Sequence, residues 1–268
     1  MPEAKLMLGR DAAGYPVYAG LNRHILLLGN TGSGKSTTAC NILKSYSALG
    51  EAYQAVVFDN QRALNAAAAR FTVVSDPATQ YASALQALYD ECQRRSKLLS
   101  ETPGAQSLPA TPECPHWLVF IDEVPAIWGN LGSVVAKKSL RSELQDMTAL
   151  LMRTGRKYGL TFMLSSQSAM VEALGSTQFR ALCDERVLHR LNGEEEIRQG
   201  SGADPSELPS HGLLRGEFWA RTQYTGGVYV KARSEGPERL CFAEAMATDS
   251  RFKRIIPSFV ERGFEVDG

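Results

Sequence analysis

No uninterrupted apolar run in this chain approaches the ~20 residues that a membrane-spanning helix needs, and the N-terminus, MPEAKLMLGR, lacks the apolar core of a signal peptide. Neither charge is in excess. Lys plus Arg and Asp plus Glu each number 29, so no global positive field draws the chain to nucleic acid or to an anionic membrane, and DNA contact must come from local patches. Cysteine is scarce and unpatterned: Cys40, Cys92, Cys114, Cys183 and Cys241 are never spaced as CxxC, which argues against a disulfide framework or a zinc knuckle. Cys114 with His116 finds no second ligand pair to complete a metal site, so Cys114 reads as a loop cysteine and no structural metal is expected. Internal repeats and low-complexity tails are lacking too. These absences predict a soluble protein of the reducing cytosol. What is present, 268 residues with 44% hydrophobic and 22% charged, suits one α/β domain with additions.

Short apolar runs alternate with longer helical patterns, as in βα units that build a mainly parallel sheet covered on both faces. The expected strands are Leu6 to Leu8 and Pro16 to Tyr18 as a lead-in hairpin, then His24 to Leu28, Ala55 to Phe58, Phe71 to Val74, Trp117 to Ile121, Leu160 to Ser166 and Glu185 to Leu188. Asp76-Pro77 reads as a helix start, and Tyr81, Leu85, Leu88, Cys92 and Leu99 recur at helical spacing behind it. Leu140, Leu144, Met147 and Leu151 mark a second helix, 134–158, ending near Gly159. Pro103, Gly104, Pro109, Pro112 and Pro115 make the stretch between Thr102 and Pro115 a surface loop. Beyond Gly200, turn signals predict an antiparallel hairpin of Glu217 to Arg221 with Val228 to Lys231, expected at the sheet edge.

The chemistry concentrates after the His24 strand. Gly29-Asn30-Thr31-Gly32-Ser33-Gly34-Lys35-Ser36 matches G-x-x-x-x-G-K-[ST] in full, directly after an apolar strand and before the helical run opening at Thr37. Glycines at 32 and 34 let successive N–H groups curl toward phosphates, and the following helix presents its positive end. The pattern therefore expects ATP on Gly29 to Thr37, with Lys35 against the β- and γ-phosphates and Ser36 on Mg²⁺. Such a loop needs an acidic partner. Trp117 to Ile121 bury a strand that ends in Asp122-Glu123, where Asp122 suits the metal and Glu123 the activation of water.

Other polar residues admit two readings. Gln167, ending the Leu160 strand, is either a γ-phosphate sensor or a solvent-facing glutamine. Arg153, Arg156 and Lys157 complement a helix dipole, or one of the arginines crosses to a neighbour's γ-phosphate. Asp59 is a nucleotide-edge acid or a helix cap, and Glu194, Glu195 and Glu196 read as a solvated helix start.

From about Leu8 to Val230 the chain resembles the FtsK/SpoIIIE family of ring-forming DNA translocases, in the HerA–FtsK superfamily. Leu8-Gly9-Arg10-Asp11 with Gly14 and Val17 is similar to the hairpin before that family's P-loop, and His24-Ile25-Leu26-Leu27 to its HLL strand. More specific are Leu151-Met152-Arg153-Thr154-Gly155-Arg156-Lys157-Tyr158-Gly159-Leu160, like the family's LARKGRxxGI, and Leu164-Ser165-Ser166-Gln167 in place of LATQ. The resemblance implies Gln167 as sensor, Arg156 as arginine finger with Arg153 second, and Arg180 as a DNA contact, Arg180, Arg186 and Arg190 aligning with basic family positions. Ser168 stands where the family has arginine, and 169–178 carry no basic residue.

These readings imply an α/β P-loop NTPase (RecA-like) fold: a mainly parallel sheet with helices on both faces, an N-terminal lead-in hairpin and a C-terminal β-hairpin. They divide the chain into a lead-in hairpin (1–23), a motor domain (24–235) and a helical tail (236–268). The implied protein is a bare cytoplasmic ATPase forming a homohexameric ring on double-stranded DNA, as a phage or mobile element would use for transfer or packaging. The family's membrane anchor and winged-helix reader have no counterpart in the sequence, so a separate membrane partner would recruit it. The alternative is a protein-export ATPase like EccC of type VII secretion, which shares the catalytic motifs.

Overall fold

A computed structural model describes residues 4–59, 61–75, 77–127, 138–209, 212–234, 236, 239–254, 259, 261 and 262. Its backbone is a ten-stranded sheet in the order β2-β1-β10-β9-β8-β3-β7-β6-β4-β5. The strands are β1 (Lys5–Asp11), β2 (Pro16–Gly20), β3 (Ile25–Leu28), β4 (Tyr53–Asp59), β5 (Thr72–Val74), β6 (His116–Asp122), β7 (Leu160–Ser166), β8 (Glu185–Leu188), β9 (Glu217–Arg221) and β10 (Val230–Arg233). From β8 to β5 all pairings are parallel, and from β2 to β8 all are antiparallel.

Two apolar layers explain why the parallel strands read as near-continuous apolar runs. Leu26, Leu28, Val56, Phe58, Val119, Ile121, Phe162 and Leu164 face α2 (Pro77–Ser100) and α3 (Lys138–Gly155), which contribute Tyr81, Leu85, Leu88, Leu144 and Leu151. The alternate residues Ile25, Leu27, Ala55, Val57, Leu118, Phe120 and Met163 face α1 (Lys35–Ser47) and α7 (Arg239–Thr248), which bring Ile42, Leu43, Tyr46, Phe242 and Met246. The α2 stripe lies in the core as its spacing requires, with Leu99 packed at its margin. Asp76, the Leu140 side chain and residues 134–137 lie outside the described residues. After α3 the chain tightens into a 3₁₀ turn, Arg156–Tyr158, and leaves it through Gly159 at φ 78°. A Cβ on Gly159 would lie 2.4 Å from the His116 ring. The proline-rich loop is tethered: Leu108 N donates to Lys157 O (2.9 Å), and the Leu108 carbonyl meets His116 Nε2 (2.9 Å).

Three expectations need correction. The C-terminal hairpin is not at the sheet edge, because β1 pairs with the free side of β10 (Arg10 opposite Arg233) and leaves β2 as the border strand. An open strand edge offers unpaired N–H and C=O groups, and the lead-in hairpin takes them up. The hairpin's second strand also starts at Val230, since a 3₁₀ turn, Gln223–Thr225, and left-handed Gly226 and Gly227 use up the residues before it. Glu196 likewise departs from a solvated charge run. Its carboxylate accepts from Ser168 Oγ and Ala169 N, both at 2.6 Å, and so ties α6 (Glu194–Ser201) to the segment after β7. Among the described residues no helix is long and apolar enough to cross a membrane.

Candidate active site

β3 delivers the chain into the Gly29–Ser36 loop at the carboxyl edge of the parallel strands, and α1 leaves from Lys35. Both neighbours of β3 hold the loop: Gly29 N donates to Ser166 O at the end of β7 (3.2 Å), and Asn30 N to Arg190 O beyond β8 (2.9 Å). Gly32 and Gly34 adopt φ 75° and 112°, a region open to glycine at little cost. No side chain caps α1 and no acidic residue lies in its first turn, so its leading N–H groups and positive end are unspent. Lys35 Nζ donates to the Gly29 carbonyl and to Asn30 O (3.4 Å). Burial lowers the Lys35 pKa, and the Glu123 and Asp122 carboxylates oppose that shift.

The acidic pair closes the opposite wall. Asp122 ends β6 in register with Asp59 of β4, and burial, followed by the Asp59 charge, raises its pKa to about 6. Asp59 itself accepts from Ala63 N (3.1 Å) and Leu64 N (2.6 Å), in the turn that precedes the 3₁₀ helix Asn65–Ala69. Glu123 sits at φ 53°, in the left-handed region, where a side chain costs roughly 1–2 kcal/mol. Such strain persists only where the surroundings over-determine it, and it clusters at functional sites. Here Glu123 Oε2 accepts from Gln167 Nε2 (3.1 Å), and Gln167 Oε1 accepts from Thr31 Oγ1 (2.9 Å). One chain of hydrogen bonds thus joins the acidic pair, the end of β7 and the glycine-rich loop.

Between these walls lies a cavity of about 140 Å³, lined by Asn30, Thr31, Gly32, Gly34 through Thr37, Asp122, Glu123 and Gln167. Gln61 and Arg215 line it too, and sequence reasoning missed both. Gln61 follows the β4 strand that the pattern did find, whereas Arg215 lies in a stretch legible only as turn signals. Arg153, Arg156 and Arg180 are elsewhere. Arg156 Nη1 pairs with Asp184 (2.6 Å), and Arg153 Nη1 donates to Gln178 Oε1 (2.8 Å). Arg156 precedes the amino end of β7, opposite the end that carries Gln167. Arg180 Nη1 donates to Ala169 O (3.1 Å) and to Gln199 Oε1, bracing the segment after β7 against α6.

The sequence model of the family described as "Helicase HerA, central domain" matches residues 8–66, from β1 through the loop and α1 to the turn after β4. No curated protein matches the chain. Among solved structures, the pCW3 conjugation coupling protein TcpA with ATPγS is similar at a TM-score of 0.71 and 22% identity, over 87% of this chain and 66% of that one. The cytoplasmic domain of the Thermomonospora curvata type VII secretion ATPase EccC gives 0.68 and 17%, over 96% and 32%. EssC ATPases 2 and 3 from Geobacillus thermodenitrificans give 0.70 and 14%, over 92% and 48%. The chain therefore spans only part of each of these proteins.

A parallel sheet with a glycine-rich loop and helix after one strand, and an acidic pair after its neighbour but one, defines a P-loop ATPase. Within that class, residues 8–66 match the HerA central-domain model, and the fold is shared with TcpA, EccC and EssC.

Proposed function

We propose that the chain binds Mg-ATP in this cavity, hydrolyses it, and as a homohexameric ring converts turnover into movement along double-stranded DNA. The observation that carries the reading is the Glu123–Gln167–Thr31 chain of hydrogen bonds beside Lys35. The loop from Gly29 to Thr37 holds the phosphates through its N–H groups other than those of Gly29, Asn30 and Ser33, which the fold already uses, and Lys35 offsets charge on the β- and γ-phosphates. Glu123 accepts the proton of the attacking water. Gln167, bonded to both Glu123 and the loop, changes partners when the γ-phosphate leaves and passes that change along β7. The hydroxyl of Ser36 and the carboxylate of Asp122 border the same cavity, and such hard oxygen donors fit magnesium, which neutralises phosphate charge when bound.

Neither Arg156 nor Arg153 borders the cavity of its own subunit, which supports a role across an interface, Arg156 first. Arg180 is the proposed DNA contact, through guanidinium N–H groups that have no partner among the described residues. The HerA match and the fold shared with a conjugation coupling protein support DNA as the polymer. The fold shared with EccC and EssC favours a second reading, protein export. The working compartment is the cytoplasm, with membrane recruitment left to a separate partner. ATPase rate with and without linear double-stranded DNA, at fixed salt because phosphate contacts are salt-sensitive, separates the two. Several-fold stimulation is expected for the DNA motor, and a DNA-independent rate favours the exporter.

A further inference from the structure

The cavity wall carries a cation that the motifs overlook. Of the motif side chains lining it, Lys35 is the only cation against two acids, Asp122 and Glu123. The other cation on the wall is Arg215. Its exposed guanidinium makes no hydrogen bond or ion pair with another described residue.

The backbone beneath it is held rigidly against the phosphate loop. Gly216 N donates to Ser33 O (2.8 Å), a carbonyl of the loop itself, and Gly216 O accepts from Ser234 N (2.8 Å). Leu214 and Glu217 close the turn on either side: Glu217 N donates to Leu214 O (3.0 Å), and Leu214 N to the Glu217 carboxylate (2.8 Å). A Cβ on Gly34 would lie 2.8 Å from Gly216 Cα, so the two backbones touch where both are left-handed, at φ 112° and 87°. A free cation on a turn clamped to the loop, facing the loop's own cavity, is placed for a ligand rather than for the fold.

We propose that Arg215 binds the phosphate tail of the nucleotide in cis, from the same subunit as Lys35, and links the phosphates to the antiparallel half of the sheet through β9. The inference rests on the reading of the cavity as a nucleotide site. Its guanidinium supplies the planar, charge-assisted donors that phosphate oxygens accept from arginine.

The test uses the full chain at a concentration where sedimentation shows monomers, with a fluorescent ATP analogue as probe, for wild type, Lys35→Ala, Arg215→Ala and Arg215→Lys. Arg215→Ala is expected to weaken binding roughly tenfold or more, the loss of one charge-assisted hydrogen bond, with Arg215→Lys intermediate. Because the side chain is exposed, melting of the nucleotide-free protein should be unchanged, while the upward shift on adding nucleotide shrinks. Wild-type affinity in Arg215→Ala monomers overturns the inference alone, and a lower nucleotide-free melting temperature in both Arg215 variants overturns it in favour of a structural role. Failure of wild type to bind the probe, or equal binding by Lys35→Ala, overturns the nucleotide site beneath it.

Discussion

Glu123 and Lys35 carry the account at the scale of single residues, and they fail differently when changed. Glu123→Gln keeps the shape of the site and an acceptor for Gln167 but cannot take a proton. It should therefore retain nucleotide affinity and lose turnover by a factor of about 10²–10⁴, read by fluorescent-nucleotide titration beside phosphate release. Lys35→Ala should lose binding itself. Both residues were legible, because the loop and the acidic pair are short motifs whose chemistry dictates their spacing. Arg70 was not. It is wholly buried, with Nη1 donating to Gln54 Oε1 (2.8 Å) and Nη2 to the carbonyls of Gly50 (2.9 Å) and Tyr53 (2.7 Å). A lone arginine in a sequence reads as surface, since the acceptors that permit its burial come from elsewhere in the chain. Arg70→Met should remove these three hydrogen bonds of a buried guanidinium and destabilise the fold by about 3 kcal/mol in urea unfolding, with unaltered stability as the contrary result.

Elements were legible where local pattern decides them, and their neighbours were not. The run Ile25–Leu28 and the stripe Tyr81, Leu85, Leu88 and Cys92 announce a buried strand and an amphipathic helix from spacing alone. The place of β9 and β10 between β8 and β1 depends on β1 meeting β10 from the other end of the chain, Arg10 opposite Arg233, and no periodicity encodes that. The junction has its own chemistry. Glu185, at the start of β8, accepts from Gly20 N (3.0 Å) and Gln223 N (3.2 Å), yet burial raises its pKa to about 7. A carboxyl that holds its proton more tightly when folded adds stability as pH falls from about 7 toward its ordinary 4.5. Relative to Glu185→Gln, the wild type should therefore gain stability between pH 7.5 and 5, on the order of 2 kcal/mol, in urea melts at both values. A difference that does not change with pH would mean that the two backbone donors, not burial, govern this group.

For the assembled molecule, the proposal is that each site is completed by its neighbour. In its own subunit Arg156 makes one half-exposed ion pair with Asp184, worth at most about 1 kcal/mol. Its loss from that role alone should scarcely affect turnover. As an arginine finger, Arg156→Ala should lower turnover about 10³-fold, and mixing it with Glu123→Gln subunits should restore activity, because some interfaces then pair an intact arginine with an intact glutamate. Mixed rings no more active than the two variants apart would pass the role to Arg153. The measurement that tests the whole account most directly is displacement of a third strand from linear double-stranded DNA by the purified chain with Mg-ATP. The account predicts displacement that requires ATP hydrolysis, takes longer as the DNA track lengthens, and disappears in Glu123→Gln. Steady ATP hydrolysis with no displacement on any length of DNA would contradict it.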